Sequence, residues 1–243
     1  MQVINNQLIL RTKSPEAVQH NIPASDIVKV DENISTMLVQ WDLPTAQQLA
    51  ALKMRNIPSP IIRDYKWSGV HKPMAHQKTT AEFLTLNPRA FCFNEQGTGK
   101  TAACIWAADY LMNEGYVNKV LVVCPLSIME SAWGNDIFYF APHRTVTIAY
   151  GNSEKRQSLI SHETDFTIIN YDGVNVVQDE IIKQDYDLII IDEANAYKNA
   201  STKRWRVMKK ILKEDTWLWM LTGTPAAQSP IDAHGIGKLC VPS

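Results

Sequence analysis

Between residues 119 and 221 the chain repeatedly enters short, uninterrupted apolar runs: KVLVVC at 119–124, FTIIN at 166–170, LIII at 188–191 and WLWML at 217–221. A strand with one wet face alternates apolar and polar residues. A run without polar interruption suits a strand buried on both faces, as in a parallel sheet covered by helices. Arg89 opens a short run of the same kind at 89–93, and 145–150 alternates as a further strand. Stretches of helical length at 100–112, 127–138 and 201–212 fall between these strands. Strand and helix in alternation predict an α/β fold, a parallel sheet with helices on both faces.

Residues 1–70 differ. Short β-rich pieces at 7–11 and 35–41 precede a helix at 44–54, begun by Pro44 or Thr45, and the turn Asn56-Ile57-Pro58-Ser59-Pro60 ends the pattern. This predicts a small accessory region, residues 1–70, ahead of a larger domain, 71–243. The 243 residues carry 24 Lys and Arg against 25 Asp and Glu. So balanced a charge exerts no global pull on nucleic acid, and any such binding must use a local patch. The four cysteines, Cys92, Cys104, Cys124 and Cys240, lie far apart and form no C-x-x-C pair, which predicts buried free thiols. The chain has no apolar run of membrane-spanning length and no signal-peptide pattern at MQVINNQLIL, so a soluble, cytoplasmic protein without a membrane partner is expected.

The stretch NEQGTGKT at 94–101 follows the strand at 89–93 and opens the helix from Lys100. Triphosphate is dense negative charge, and the free N–H groups of a helix N-terminus together with a lysine hold it well. Gly97 and Gly99 let the backbone curl close, and Gln96 and Thr98 lie between and beside them in the loop. Lys100 would reach the β- and γ-phosphates, and the Thr101 hydroxyl would face Mg²⁺. The general phosphate-loop pattern places glycine at 94, where this chain has Asn94. Asn tolerates unusual backbone angles, so the substitution is expected to bend the loop's entry without removing the groups that touch phosphate.

Two further elements fall at strand ends. In DLIIIDEAN, 187–195, Asp192 and Glu193 close an apolar strand, at the edge where open α/β sheets bind ligands. Asp192 would hold Mg²⁺, and Glu193 would orient and deprotonate an attacking water. After the strand at 217–221 come Thr222, Gly223, Thr224 and Pro225, where two hydroxyls flanking a glycine could sense a γ-phosphate. Taken alone, that element is a plain turn.

In this order the three elements resemble the first RecA-like motor lobe of superfamily 2 helicases and translocases, and in detail the Swi/Snf-like branch, including its compact bacteriophage-encoded members. That branch also lacks the first loop glycine. Val122-Val123-Cys124-Pro125-Leu126-Ser127 with Trp133 resembles the motif that touches the nucleic-acid backbone, and Ile168-Ile169-Asn170-Tyr171-Asp172 resembles the next one. His76-Gln77 resembles the adenine-reading glutamine motif. The resemblance covers about residues 70–243. It implies ATP and Mg²⁺ as cofactors, with Lys100, Asp192 and Glu193 catalytic. Gln77, 96–101 would bind ATP, and Thr222, Gly223 and Thr224 would couple it to motion. Backbone contacts would come from Pro125, Ser127 and Asn170. It implies DNA, duplex or forked, as partner, with RNA left open, and a second RecA-like lobe. This chain stops just past the first lobe, as a fragment would, and is expected to hydrolyse ATP weakly or not at all alone. Asn195 stands where many relatives carry His, and Ala227-Gln228 follow T-G-T-P in place of Gln-Asn.

Other readings compete. The basic segment KNASTKRWRVMKK, 198–210, is as readily a solvated helix face as a DNA contact, and Trp133 reads as core more than as a stacking platform. Residues 1–70, where Trp41-Asp42-Leu43-Pro44 resembles the accessory regions of fork-remodelling relatives, could instead form a lid, with Tyr65 or Trp67 stacking on adenine. A different P-loop kinase, or a non-catalytic nucleic-acid-binding module with structural ATP, are the alternatives to an ATP-driven motor.

Overall fold

The computed structural model describes residues 1–95, 97–223 and 230–241, and within 230–233 the backbone only. The chain divides into two compact units, residues Met1–Tyr65 with Thr85–Asn87, and Lys66–Leu84 with Pro88–Ser243.

The first unit contains β1 (Gln2–Ile4), β2 (Gln7–Thr12), α1 (Pro15–Asn21), β3 (Asp26–Asp31), β4 (Ile34–Gln40), α2 (Leu43–Ala51) and α3 (Ile61–Asp64). The strands form an antiparallel sheet in the order β1-β2-β4-β3. Side chains alternate across a strand, and Leu8 and Leu10 of β2 sit opposite Val39 and Met37 of β4, all four buried. Val18 of α1 and Leu43, Ala46 and Leu49 of α2 are buried too. The α2 helix starts one residue earlier than its sequence suggests, because Asp42, not Pro44 or Thr45, caps it: the carboxylate accepts from the Thr45 N–H at 2.8 Å. It also stops earlier, at Ala51. Trp41 is buried, donates its indole N–H to the Pro58 carbonyl at 2.8 Å and lies under Arg63. It is a core residue of this unit.

The larger unit is built on α4 (Ala75–Leu86), β5 (Arg89–Cys92), α5 (Lys100–Asn113), β6 (Val120–Cys124), α6 (Asn135–Phe140), β7 (Val146–Ile148), α7 (Ser153–Ile160), β8 (Phe166–Asn170), α8 (Tyr171–Val176), α9 (Gln178–Gln184), β9 (Leu188–Ile191), α10 (Lys203–Ile211), β10 (Trp217–Leu221) and α11 (Pro230–Cys240). Its six strands are all parallel, in the order β5-β10-β9-β6-β8-β7. β6, β8 and β9 are buried at every position, as their unbroken apolar runs require. On one face Leu121, Val123, Ile169, Ile189, Ile191, Leu218 and Met220 pack with Val174, Ile181, Val207, Met208, Ile211 and Leu239 from the covering helices. The alternate residues, Val122, Ile168, Ile190 and Trp219, are equally buried and by the pleat point to the other face. α5 is buried from Ala102 to Leu111, and its Trp106 packs edge-on against Phe140 and Trp67.

The stretch 127–138 is not one α-helix. It opens as a 3-10 turn, Leu126–Ile128, continues as a π-helix, Met129–Gly134, and becomes α-helical only in α6. Gly134 lets the π segment lie against β7, since a Cβ there would crowd Ile148 Cδ1 at 3.2 Å. The four cysteines are buried and free.

Candidate functional site

Loops leave the C-terminal edge of the parallel sheet, and the sheet order sets five of them side by side. They follow β5 (residues 93–99), β10 (Thr222), β9 (Asp192), β6 (Pro125) and, beyond it, β8 (Asn170). Backbone bonds hold the neighbours in register: Thr222 N–H to the Cys92 carbonyl at 3.1 Å, and Asp192 N–H to the Val123 carbonyl at 2.9 Å. One strand, β10, separates the loop after β5 from that after β9, so they stand about 10 Å apart, two strand spacings.

The loop before α5 is closed by its own lysine. Lys100 donates its ammonium to the carbonyls of Asn94, at 2.8 Å, and Glu95, at 3.0 Å. Thr98 Oγ1 donates to the Glu95 carbonyl. Gly97 and Gly99 have φ of +77° and +71°, the left-handed region that favours glycine. Asn94 is not at positive φ. The expected bend from an unusual backbone angle at Asn94 is therefore replaced by a side-chain clip: its amide donates to Thr80 Oγ1 of α4 at 2.8 Å. α4 grips the loop twice more. His76 Nε2 lies 2.9 Å from the Thr98 carbonyl, and the Gln77 amide reaches the Gly99 carbonyl at 3.5 Å. Gln77 Oε1 accepts from the Met74 N–H at 2.8 Å, completing the helix start. A Cβ on Gly99 would collide with that amide.

A triphosphate fits this loop. Where a Cβ on Gly97 would stand there is open space, and Gly99, the α5 N-cap, caps the helix with no side chain. The N–H groups of a helix N-terminus, with an ammonium that meets the neutral carbonyls of Asn94 and Glu95, suit an anion. The donors for a cation are hard oxygens, the hydroxyl of Thr101 in the first turn of α5 and the Asp192 carboxylate. Among the described residues no three His, Cys, Asp or Glu cluster as a metal cage. That suits Mg²⁺, which keeps waters and phosphates and takes one or two protein ligands.

Asp192 is 8% exposed and tightly held. Its Oδ1 accepts from the Glu193 N–H and its Oδ2 from the Trp133 indole, both at 2.9 Å. Its carbonyl accepts from the Tyr171 hydroxyl at 2.6 Å. Burial, with the Asp192 carboxylate next, pushes the Tyr171 hydroxyl well up, so it stays a donor. Arg204 covers the Tyr171 ring at 4.9 Å and pairs with Asp172 at 2.8 Å. Glu193 is left-handed, φ +47°, and turns the chain into the 3-10 turn Ala194–Tyr197. Such strain in a non-glycine residue gathers at working sites. Asn195 Nδ2 then donates to Thr222 Oγ1 at 3.1 Å. Gly223 follows, while Gln96 and Thr224 lie outside the described residues.

The other predicted contact residues fall differently. Ser127 is exposed and Pro125 half-buried. With Leu126, Glu130, Ser131 and Tyr150, Ser127 lines a groove of about 560 Å³. Asn170 is nearly buried, and its Oδ1 accepts from Arg156 at 2.8 Å. Trp133 is fully buried, as its core reading implied. Its bond to Asp192 and that of Tyr171 were not foreseen. Only the presence of a polar atom on each buried ring pointed to them. In the basic segment Arg204 is engaged, while Lys203, Arg206, Lys209 and Lys210 are exposed. Trp67 is half-buried against Trp106, with Lys78 over its ring at 5.6 Å. No helix among the described residues is long and apolar enough to cross a membrane.

Comparison with known proteins gives the family and the fold. A 185-residue stretch is 31% identical to a probable ATP-dependent helicase of Plasmodium falciparum, covering 73% of this chain and 8% of that protein. A 233-residue stretch is 25% identical to the Caenorhabditis elegans homologue of SWI/SNF-related matrix-associated actin-dependent regulator of chromatin subfamily A-like protein 1, covering 92% of this chain and 33% of that one. This chain thus spans a third or less of these relatives. The SWI2/SNF2 ATPase core of Sulfolobus solfataricus, solved in complex with dsDNA, shares the fold: TM-score 0.65 over 72% of this chain and 37% of that one, at 24% identity. The family model of the SNF2-related domain matches residues 76–243, the whole of the parallel sheet with the loop 93–99 and Asp192, and the chain belongs to that family.

Proposed function

We propose that this chain is the ATP-binding, N-terminal lobe of a DNA-dependent ATPase motor of the translocase or helicase type. The observation that carries this reading is the placement of the loop 93–99, Thr222, Asp192 and Pro125 on neighbouring strands at one sheet edge. Lys100, Gly97, Thr98, Gly99 and the α5 N-terminus bind the phosphates. Gln77 ties the adenine side of the site to that loop. Thr101 and Asp192 hold Mg²⁺, which when bound neutralises phosphate charge. Glu193 orients the attacking water, and phosphoryl transfer asks little more of a protein than positioning and charge. The Asn195–Thr222 bond passes the state of the acidic loop to the loop after β10.

Duplex DNA is the partner this reading favours. The complexed ATPase core of the same fold supports it, and Ser127 and Pro125 offer an exposed turn for a phosphate backbone. Asn170, nearly buried against Arg156, contributes by shaping that surface. A second RecA-like lobe completes the hydrolytic site, residues 71–243 act as the motor lobe, and residues 1–70 are an accessory region.

Duplex binding by fluorescence anisotropy, in the absence of nucleotide, with ADP and with a non-hydrolysable ATP analogue, tests the proposal. A motor lobe changes its duplex affinity with nucleotide state, because coupling between two sites is reciprocal. Duplex affinity blind to nucleotide marks a passive binding module, and phosphate transfer from ATP to a small acceptor, assayed separately, marks a kinase. Either result overturns the proposal.

A further inference from the structure

Trp133 and Asp192 are 59 residues apart in sequence, yet the indole N–H of one donates to the carboxylate of the other inside the protein. The tryptophan is fully buried and sits on the π-helix Met129–Gly134. A π segment within helical structure is rare and recurs at functional sites. Packing alone does not call for an indole here, since a phenyl ring fills a core position without bringing an N–H that must be satisfied. The carboxylate gains as much as the indole. It offers about four lone-pair positions, and the indole and the Glu193 N–H occupy one on each oxygen. Both bonds come from groups with no freedom to move away, one on a strained turn and the other in the core.

We propose that Trp133 is a positioning residue for the metal site. Its N–H locks the Asp192 carboxylate in one orientation, so that the unoccupied lone pairs are preset for Mg²⁺. This rests on the nucleotide-site reading above and extends it to a residue outside the site's own loops. Groups that orient a metal ligand in this way typically change metal affinity by roughly 10- to 100-fold when removed.

The test is calorimetric titration of ADP, with Mg²⁺ and with EDTA, into the wild-type chain, Trp133→Phe and Ile137→Ala. Ile137 is equally buried, in the next helix α6, and its truncation reports a general loss of packing. The expected result is unchanged ADP affinity in EDTA for all three, a gain on adding Mg²⁺ in wild type and Ile137→Ala, and that gain reduced roughly 10-fold or more in Trp133→Phe. A full Mg²⁺ gain in Trp133→Phe, or an equal loss in Ile137→Ala, overturns the inference alone. A wild-type chain that binds no ADP overturns the nucleotide site itself. In the wild-type protein the Trp133 indole N–H resonance should also shift when Mg²⁺ joins bound ADP. An unmoved resonance counts against the inference whether or not the variant folds.

Discussion

Asn195 donates its side-chain amide to the Thr222 hydroxyl at 3.1 Å, joining the loop after β9 to the loop after β10. Asn195 stands where many relatives of the resembled branch carry His, yet the link between the two loops is made. A double-mutant cycle of Asn195→Ala and Thr222→Val, read by denaturant unfolding, is expected to give a coupling of about 0.5–1.5 kcal/mol. Additive effects would mean that the two loops respond independently.

Asn94 is where the loop before α5 departs from the general phosphate-loop pattern, and it acts through its side chain. Asn94→Gly removes the bond to Thr80 and adds backbone freedom, so it should cost about 1–2 kcal/mol of stability. Nucleotide affinity should change little, because Lys100 meets the carbonyl of residue 94 and not its side chain. A thermal melt and a nucleotide titration check the two halves separately.

Gly235 of α11 has no room for a side chain. A Cβ there would collide with the Lys198 carbonyl, a backbone atom just past the acidic loop, and the Gly235 carbonyl accepts from the Trp205 indole at 2.8 Å. Gly235→Ala should therefore push α11 off this loop and cost about 1–3 kcal/mol. Gly237→Ala, which meets nothing within 4 Å, is the matched control. It should be neutral or slightly stabilising, since alanine favours the helix.

How much of this was legible beforehand depends on how far apart the cooperating residues lie. β8, β9 and β10 fall on the expected runs because a strand buried on both faces leaves no other pattern. β3, DIVKVD, escaped notice because all six of its residues are exposed and its pairing with β4 slips at Ile27/Lys29. The π segment MESAWG escaped because buried Met129, Trp133 and Ile137 repeat every four residues, as an α-helix also allows. The motif residues were readable because each lies within a few positions of the next. The Trp133–Asp192, Tyr171–Asp192 and Asn94–Thr80 bonds were not, since each joins different elements and depends on the packed fold.

Acid should weaken the fold in part through Asp165. Burial pushes its carboxyl up, but the Thr145 N–H and hydroxyl and the Arg144 guanidinium together hold it below the usual range. A depressed carboxylate contributes stability that is present above the unfolded value of about 3.9 and lost as pH falls through the folded value. Melting temperature should fall in that window below about pH 4, and Asp165→Asn should flatten that part of the curve. An unchanged pH profile in the variant would remove Asp165 from the acid response.

The proposed function stands or falls on whether the loop 94–101 holds nucleotide phosphates through Lys100. Calorimetric titration of a magnesium complex of a non-hydrolysable ATP analogue into the wild-type chain and Lys100→Ala tests it most directly, with a melt of each to show that both are folded. The expected result is saturable one-to-one binding by the wild type, and a loss of at least about 10-fold, or 1.4 kcal/mol, in the variant. Equal affinity in a folded variant, or no binding by the wild type, would contradict it.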